Sequence, residues 1–121
     1  MLSSSVLNTI KKMIGPSESY HGFDEDLIVL INSSLMVLAQ IAVVQEGTRI
    51  KDETTTWGEI VGDRPDIEGI KEYIYLKVKA TFDPNASSSI QQALAERAKE
   101  LEWRLYAFSD IMGKKGGESN D

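Results

Sequence analysis

The chain has one histidine, His21, set between Tyr20 and Gly22 and followed by Asp24 and Asp26. A catalytic base or metal ligand needs a partner, and these two acids are the ones at hand. One imidazole with two loop acids does not make a site, because geometry rather than residue type identifies catalysis. His21 therefore reads as an ordinary exposed histidine. Asp24-Glu25-Asp26 has the oxygen donors of a hard-cation site. A helix start enriched in acids explains all three without a metal. Asp52-Glu53 and Asp63 read as solvated loop. Gly113-Lys114-Lys115-Gly116-Gly117 has the residue types of a phosphate cradle. It follows a helix, however, and lacks the strand before and the helix after that such a cradle requires. There is no G-x-S-x-G elbow and no H-E-x-x-H pair, and nothing singles out two carboxylates for glycoside hydrolysis. The absence of cysteine removes disulfides, thiolate zinc sites and thiol nucleophiles. The expectation is a protein that is not an enzyme, with no catalytic residues, no cofactor and no metal.

Trp57 and Trp103 point to binding instead. Trp103 lies between an apolar stripe and a charged face, two residues from both Leu101 and Leu105. It is either the edge of the core or a contact across a subunit interface, where tryptophan is enriched. Trp57 is expected to tuck into its own domain. Tyr73 and Tyr75 are expected to bridge core and solvent with their hydroxyls outward.

Four helical segments position these residues. The first is expected over about Ser3 to Ile14, with Val6, Leu7, Ile10, Met13 and Ile14 on one apolar face. Gly15-Pro16 ends it, glycine suiting the left-handed cap and proline being unable to continue. The second is expected to start at Asp24 as N-cap, with Glu25 and Asp26 favoured by the helix dipole. Leu27, Ile31, Leu35, Leu38 and Ile41 form its stripe, and Ile28, Leu30, Val37 and Val44 lie off it. A helix apolar on more than one side is buried on more than one side or packs against another chain. From Gln45 to Arg64 the periodicity breaks. Thr48 to Lys51 alternates like a short strand, and Thr56 with Glu59 suits a capped single turn over Trp57 to Val61. We read this stretch as an irregular arm or a small β-hairpin, of a length more usual in functional loops.

The third helix follows Arg64-Pro65, with Asp66 as cap, and runs to about Phe82. Asp83-Pro84-Asn85 is a turn. Ser87, Ser88 or Ser89 then caps a fourth helix to about Met112. Its stripe is Ile90, Leu94, Ala98, Leu101, Leu105, Phe108 and Met112, and Glu100 with Arg104 is an attractive pair on its outer face. Gly113 is expected to stop it. The fold class is thus mainly α: a small bundle of about four helices with an irregular arm or short β-hairpin between the second and third. Residues 1–113 form one helical domain, and 114–121 a glycine-rich polar tail expected to be mobile in the free subunit.

The chain has 121 residues, 41% hydrophobic and 26% charged, with a formal net charge of −6. That is enough for one core and not two. A net acidic chain does not attract phosphate backbones, so nonspecific DNA binding is a poor assignment. Acidity does suit a path along which DNA slides without sticking. No secretory signal is recognisable at the start, and no apolar run approaches the ~20 residues of a membrane span. A cytoplasmic protein is expected.

The order of features resembles the small head–tail connector, or adaptor, proteins of long-tailed bacteriophages. Leu7-Asn8-Thr9-Ile10-Lys11-Lys12-Met13-Ile14-Gly15 is similar to their first helix, and Phe23-Asp24-Glu25-Asp26 to the approach to the second. Ile31-Asn32-Ser33 and Thr56-Trp57 fall where related chains carry similar residues. Tyr73-Ile74-Tyr75-Leu76-Lys77-Val78, Phe82-Asp83-Pro84 and Glu100-Leu101-Glu102-Trp103-Arg104-Leu105 are the most specific matches.

The resemblance implies a structural virion protein: a homo-oligomeric ring, usually of twelve copies, beneath the portal protein in the virion neck, assembled in the host cytoplasm. The ring would extend the DNA channel without reading sequence and would present a platform to a downstream neck or tail-completion protein. It also implies that a C-terminal segment, here around Ile111, Met112, Lys114 and Lys115, grips the portal. A ring interface is heterologous, so two different faces must be complementary. The arm is expected on one side and part of the third or fourth helix on the other. Two other classes compete with the connector: a helical adaptor binding a single protein partner through a groove, and an enzyme with an unrecognised acid–base site. Portal, capsid and tail genes beside this one would favour the connector.

Overall fold

The computed structural model describes residues 2–15, 19–82 and 87–119, with side chains as far as Ile111. Among the described residues five helices follow one another: α1 (Val6–Ile14), α2 (Asp24–Gln40), α3 (Trp57–Val61), α4 (Ile67–Phe82) and α5 (Ser88–Ser119). The four long ones are the four expected, and α3 is the capped turn. The central member is α4, which packs against α1, α2 and α5.

Local chemistry sets most of the boundaries. Ser5 caps α1, its Oγ accepting from the Asn8 amide at 3.1 Å. Gly15, at φ 124°, ends the helix by returning its N–H to the Lys11 carbonyl. Thr56 and Glu59 cap α3 reciprocally. Ser87 caps α5, its Oγ accepting from the Ile90 amide at 3.2 Å. At the end of α2, Ala42 takes φ 62° and donates to Ala39, while Val43 donates back to Leu38. This is a Schellman turn in which an alanine occupies the left-handed position that glycine usually fills. It drives Val43 into the core.

Several expectations are corrected. Asp24 is the first helical residue of α2, not its N-cap; Phe23 holds that position without a side-chain bond. Asp24 instead spends its carboxylate on Lys11 and His21. On α1, Met13 faces outward and Lys11 is buried in its place, 1% exposed. The ammonium can be buried because Asp24 Oδ1 stands 2.9 Å away and the Tyr20 carbonyl accepts from Nζ at 2.6 Å. Tyr73 does not present its hydroxyl to solvent: the ring is fully buried and the hydroxyl donates to Glu102 Oε2 at 3.1 Å. Asp66 precedes α4 as expected, but its carboxylate pairs with Arg64.

The arm is irregular, and among the described residues it forms no hairpin. Its backbone groups find side chains rather than a partner strand. Asn32 of α2 donates from Nδ2 to the Ile50 carbonyl (3.1 Å) and accepts from the Ile50 amide at Oδ1 (2.7 Å). One amide side chain thus satisfies both groups an opposing strand would have taken. Thr55 Oγ1 accepts from the Lys51 amide, and Asp52 Oδ1 from the Thr54 amide. At its far end the arm is tied to the start of the chain by an isolated antiparallel bridge between Ser5 and Thr56. The arm folds back onto its own domain, burying Ile50 and Trp57. An Asn32→Ala variant is expected to lose about 1–2 kcal/mol, since it strands two buried backbone groups. The Ile50 amide should then exchange rapidly with deuterium. An Ile50 amide that stays protected in this variant would show that the clamp does not hold the arm.

The register of α4 and α5 follows from their cross-contacts. Glu72 meets Arg97, Tyr73 meets Glu102, and Arg64, just ahead of α4, meets Ser109. Gly69 lets the two helices approach closely, since a Cβ there would stand 3.3 Å from Leu105 Cδ2. In this antiparallel alignment Ile90 lies beside the end of α4 and stays exposed, although it belongs to the α5 stripe. The sealed part of the stripe is Ala98, Leu101 and Leu105. Nor does α5 stop at Gly113: its backbone remains helical to Ser119. Glycine inside a helix costs only about 1 kcal/mol against alanine, which is not a bar to continuation. From the level of Ser109 the helix runs ten residues further, about 15 Å beyond the start of α4.

Candidate assembly interface

The core is sealed from within. Val6, Leu7 and Ile10 of α1, Leu27, Ile31, Leu35 and Leu38 of α2, and Ile70, Ile74 and Val78 of α4 are buried together with Ile50 and Trp57. Trp57 is 0% exposed, and its Nε1 donates to Thr9 Oγ1 at 3.0 Å. It is a core residue of its own domain and is unavailable to a partner.

Trp103 is the opposite case. Its neighbours Leu101 and Leu105 are buried against α4, and two residues along a helix is about 200° of turn. The indole therefore points away from the bundle and is 66% exposed. One turn on, Tyr106 is exposed as well, and the two rings lie 6.1 Å apart at 32°. With Ile41, Lys99 and Glu102 they border a shallow depression of about 440 Å³. Ile111 continues the exposed apolar surface of α5. The side chains of Met112, Lys114 and Lys115 lie outside the described residues.

A second exposed apolar row runs along α2. Val29 (62% exposed) and Met36 (58%) lie two turns apart on the side opposite Leu27, Ile31, Leu35 and Leu38. Ile28, Leu30 and Val37, which the sequence places off the stripe, are half-buried flanks of the core. Met36 borders a depression of about 600 Å³ shared with Ala39, Gln40, Glu46, Gly47 and Arg49. The structure thus separates Trp57 from Trp103 and adds Val29, Met36, Ile41 and Tyr106 to the accessible surface. Their signal in the sequence is slight: two apolar residues seven apart on α2, and an aromatic pair three apart on α5.

Arg64 fixes α5 relative to the rest. Its guanidinium makes a two-point fork to Asp66, with Nε and Nη2 each 2.7 Å from a carboxylate oxygen. It also donates through Nη1 to the Val43 carbonyl and through Nη2 to Ser109 Oγ at 2.9 Å. The same group lies 5.8 Å from the centre of the Phe108 ring. One side chain therefore ties the end of α2, the start of α4 and the later turns of α5. The planar five-donor fork of arginine suits this in a way lysine does not.

The electrostatics separate paired from unspent charge. Arg97 bonds Glu72 and Glu100, and Arg104 bonds Glu100. Arg104 and then Arg97 hold the Glu100 carboxyl below its usual range, while Glu72 and then Glu100 raise Arg97. Burial, reinforced by the Glu102 charge and hydrogen bond, pushes the Tyr73 phenol up, so it remains a donor. His21 meets Asp24, its Nδ1 2.7 Å from Oδ2. That carboxylate is also held by Lys11, so the trio latches a loop to α2. Among the described residues no three His, Asp or Glu side chains are grouped to hold a metal.

The described residues form a sealed helical bundle that leaves apolar side chains on the outer faces of two helices. Over residues 6–111 the chain matches the family described as phage connector protein. It belongs to that family, the one it resembles in sequence, and the family's role is structural. No curated protein and no solved structure matches the chain.

Proposed function

We propose that the protein is a head–tail connector subunit that forms a ring, of about twelve copies by family resemblance, beneath the portal in the phage neck. The observation that carries this is the apolar surface left on α2 and α5 after the core is complete. Single exposed apolar residues are normal, but rows rimmed by charge mark interaction sites. Residues 1–113 are the ring-forming body. The segment from Ile111 through the 114–121 tail, with Met112, Lys114 and Lys115, engages the portal, and the overhang of α5 past α4 supports that assignment. The other rim offers a platform to a downstream neck or tail-completion protein. DNA passes through the channel without sequence-specific contact, and a net charge of −6 supports passage by repelling phosphate. No described helix is long and apolar enough to cross a membrane. Assembly takes place in the host cytoplasm.

Electron microscopy of the full chain, with and without portal particles from the same phage, tests the proposal. Rings alone, or a new ring of density under the portal, are expected. A discrete one-to-one complex with a single unrelated partner, and no density under the portal, would favour a groove-binding adaptor.

A further inference from the structure

We propose that Trp103 and Tyr106 of one copy seat in the depression beside Met36 of the next, making a head-to-tail contact between two different faces of the same chain. This rests on the connector reading, which requires sister copies side by side. One feature projects and the other is concave. The aromatic pair projects from the outer face of α5, and the Met36 depression, at about 600 Å³, falls within the size range of pockets that accept compact groups. Methionine is the side chain best able to adapt to an aromatic ring, through its flexible stem and polarisable sulfur.

They are complementary in charge. Lys99 lies one turn before Trp103, while Glu46 and Arg49 border the depression. Among the described residues Lys99, Glu46 and Arg49 make no ion pair, whereas Arg97, Glu100 and Arg104 on the same helix as Lys99 are all paired within the chain. Seating Trp103 beside Met36 brings Lys99 to Glu46. A second copy satisfies both faces at once and leaves the same two faces open at the ends, so the contact propagates until a ring closes. An aromatic pair meeting its own symmetry mate would leave the Met36 depression uncovered. Tryptophan anchored in a partner's pocket is the usual form of an interface hot spot.

The chain contains no cysteine, so introduced ones report without background. Full-length Ala107→Cys and Gln40→Cys chains, which flank the contact and keep Trp103, Tyr106 and Met36, are mixed and treated with a short bis-maleimide. A covalent dimer is expected in the mixture and not from either variant alone, with a ladder of oligomers from the double variant. Trp103→Ala, whose site is solvent-facing, should keep its helical circular dichroism and weaken self-association about 30-fold. Lys99→Glu and Glu46→Lys should each weaken it about 5-fold, and the two together in one chain should restore it. Equal cross-linking by Ala107→Cys alone, failure of the mixture to cross-link, or loss without rescue in the double charge reversal would overturn the contact. Retention of the wild-type chain on phage heads lacking it is scored separately. Heads that bind the chain while the mixture fails to cross-link leave the connector reading standing and this contact refuted. A cross-linked mixture that heads do not retain keeps the contact and removes the connector reading.

Discussion

Trp57→Ala is expected to lower the unfolding free energy by about 3–5 kcal/mol, the range for removing a large aromatic from a sealed core. Trp57 has no exposed surface, and its indole N–H is spent on Thr9 Oγ1. It joins the arm to α1, since its own backbone amide donates to the Ser4 carbonyl beside the Ser5–Thr56 bridge. Lys71 Nζ also lies 5.3 Å from the centre of its ring. The loss should therefore reach α4 as well as the arm. Thermal and urea unfolding of the variant check this. Because a domain's stability is of order 5–15 kcal/mol, the variant should be near the edge of folding at 37 °C. Trp57→Phe fills most of the cavity but leaves Thr9 without its donor, and should cost about half as much. A Trp57→Ala chain with a transition indistinguishable from wild type would show that the arm is not part of the cooperative unit. The contrast with Trp103 is informative: Trp103→Ala should leave stability within about 0.5 kcal/mol of wild type.

Lys11→Ala should cost about 3 kcal/mol at neutral pH. The substitution removes a buried four-carbon stem and leaves Asp24 without its principal counter-charge. Lys11→Met retains the stem and isolates the charge, so it should recover part of the loss. The pH dependence gives the sharper check. Lys11, and then His21, hold the Asp24 carboxyl below its ordinary value of 3.8. A carboxylate depressed in the folded state adds stability above its unfolded pKa, and that addition disappears as pH falls through the folded value. The penalty of Lys11→Met should therefore be full at pH 7 and shrink in acid, as Asp24 takes up its proton. Urea unfolding at pH 7 and near pH 3 decides it: equal penalties at the two pH values would mean that the ion pair contributes nothing beyond packing. Asp24→Asn should lose most of the same acid dependence.

The positions that the sequence misassigned share a physical cause. Periodicity records which residues are apolar, and a helix face is sealed by whatever fits. On α1, Lys11 fits because a carboxylate from α2 and a carbonyl from the preceding loop both reach its ammonium. Met13 is left outside by the same rotation of the helix. In the arm, read as irregular or a small hairpin, Thr48 to Lys51 alternates as a short strand would, yet Ile50 takes its hydrogen bonds from Asn32, eighteen residues earlier. Sequence alone places the Tyr73 hydroxyl in water, because tyrosine usually spans the two environments. It is buried because Glu102, twenty-nine residues later, accepts its proton in the hydrogen bond. Each of these depends on a partner remote in the chain, which no local window contains.

What the residues determined by themselves was the inventory of long helices, the caps at Gly15, Thr56 and Ser87, and the inward stripe of α2 with the Ala98, Leu101 and Leu105 part of that of α5. Those features follow from 3.6-residue periodicity and from side chains bonding backbone groups three or four residues away. The order of these features along the chain was also enough to suggest the connector family. Tertiary structure alone decided between core edge and surface for Trp103, turned Met36 and Val29 outward, and let Arg64 lock three elements together. Burial is settled by which faces of separate helices meet, and that is a property of their packing and not of any single segment.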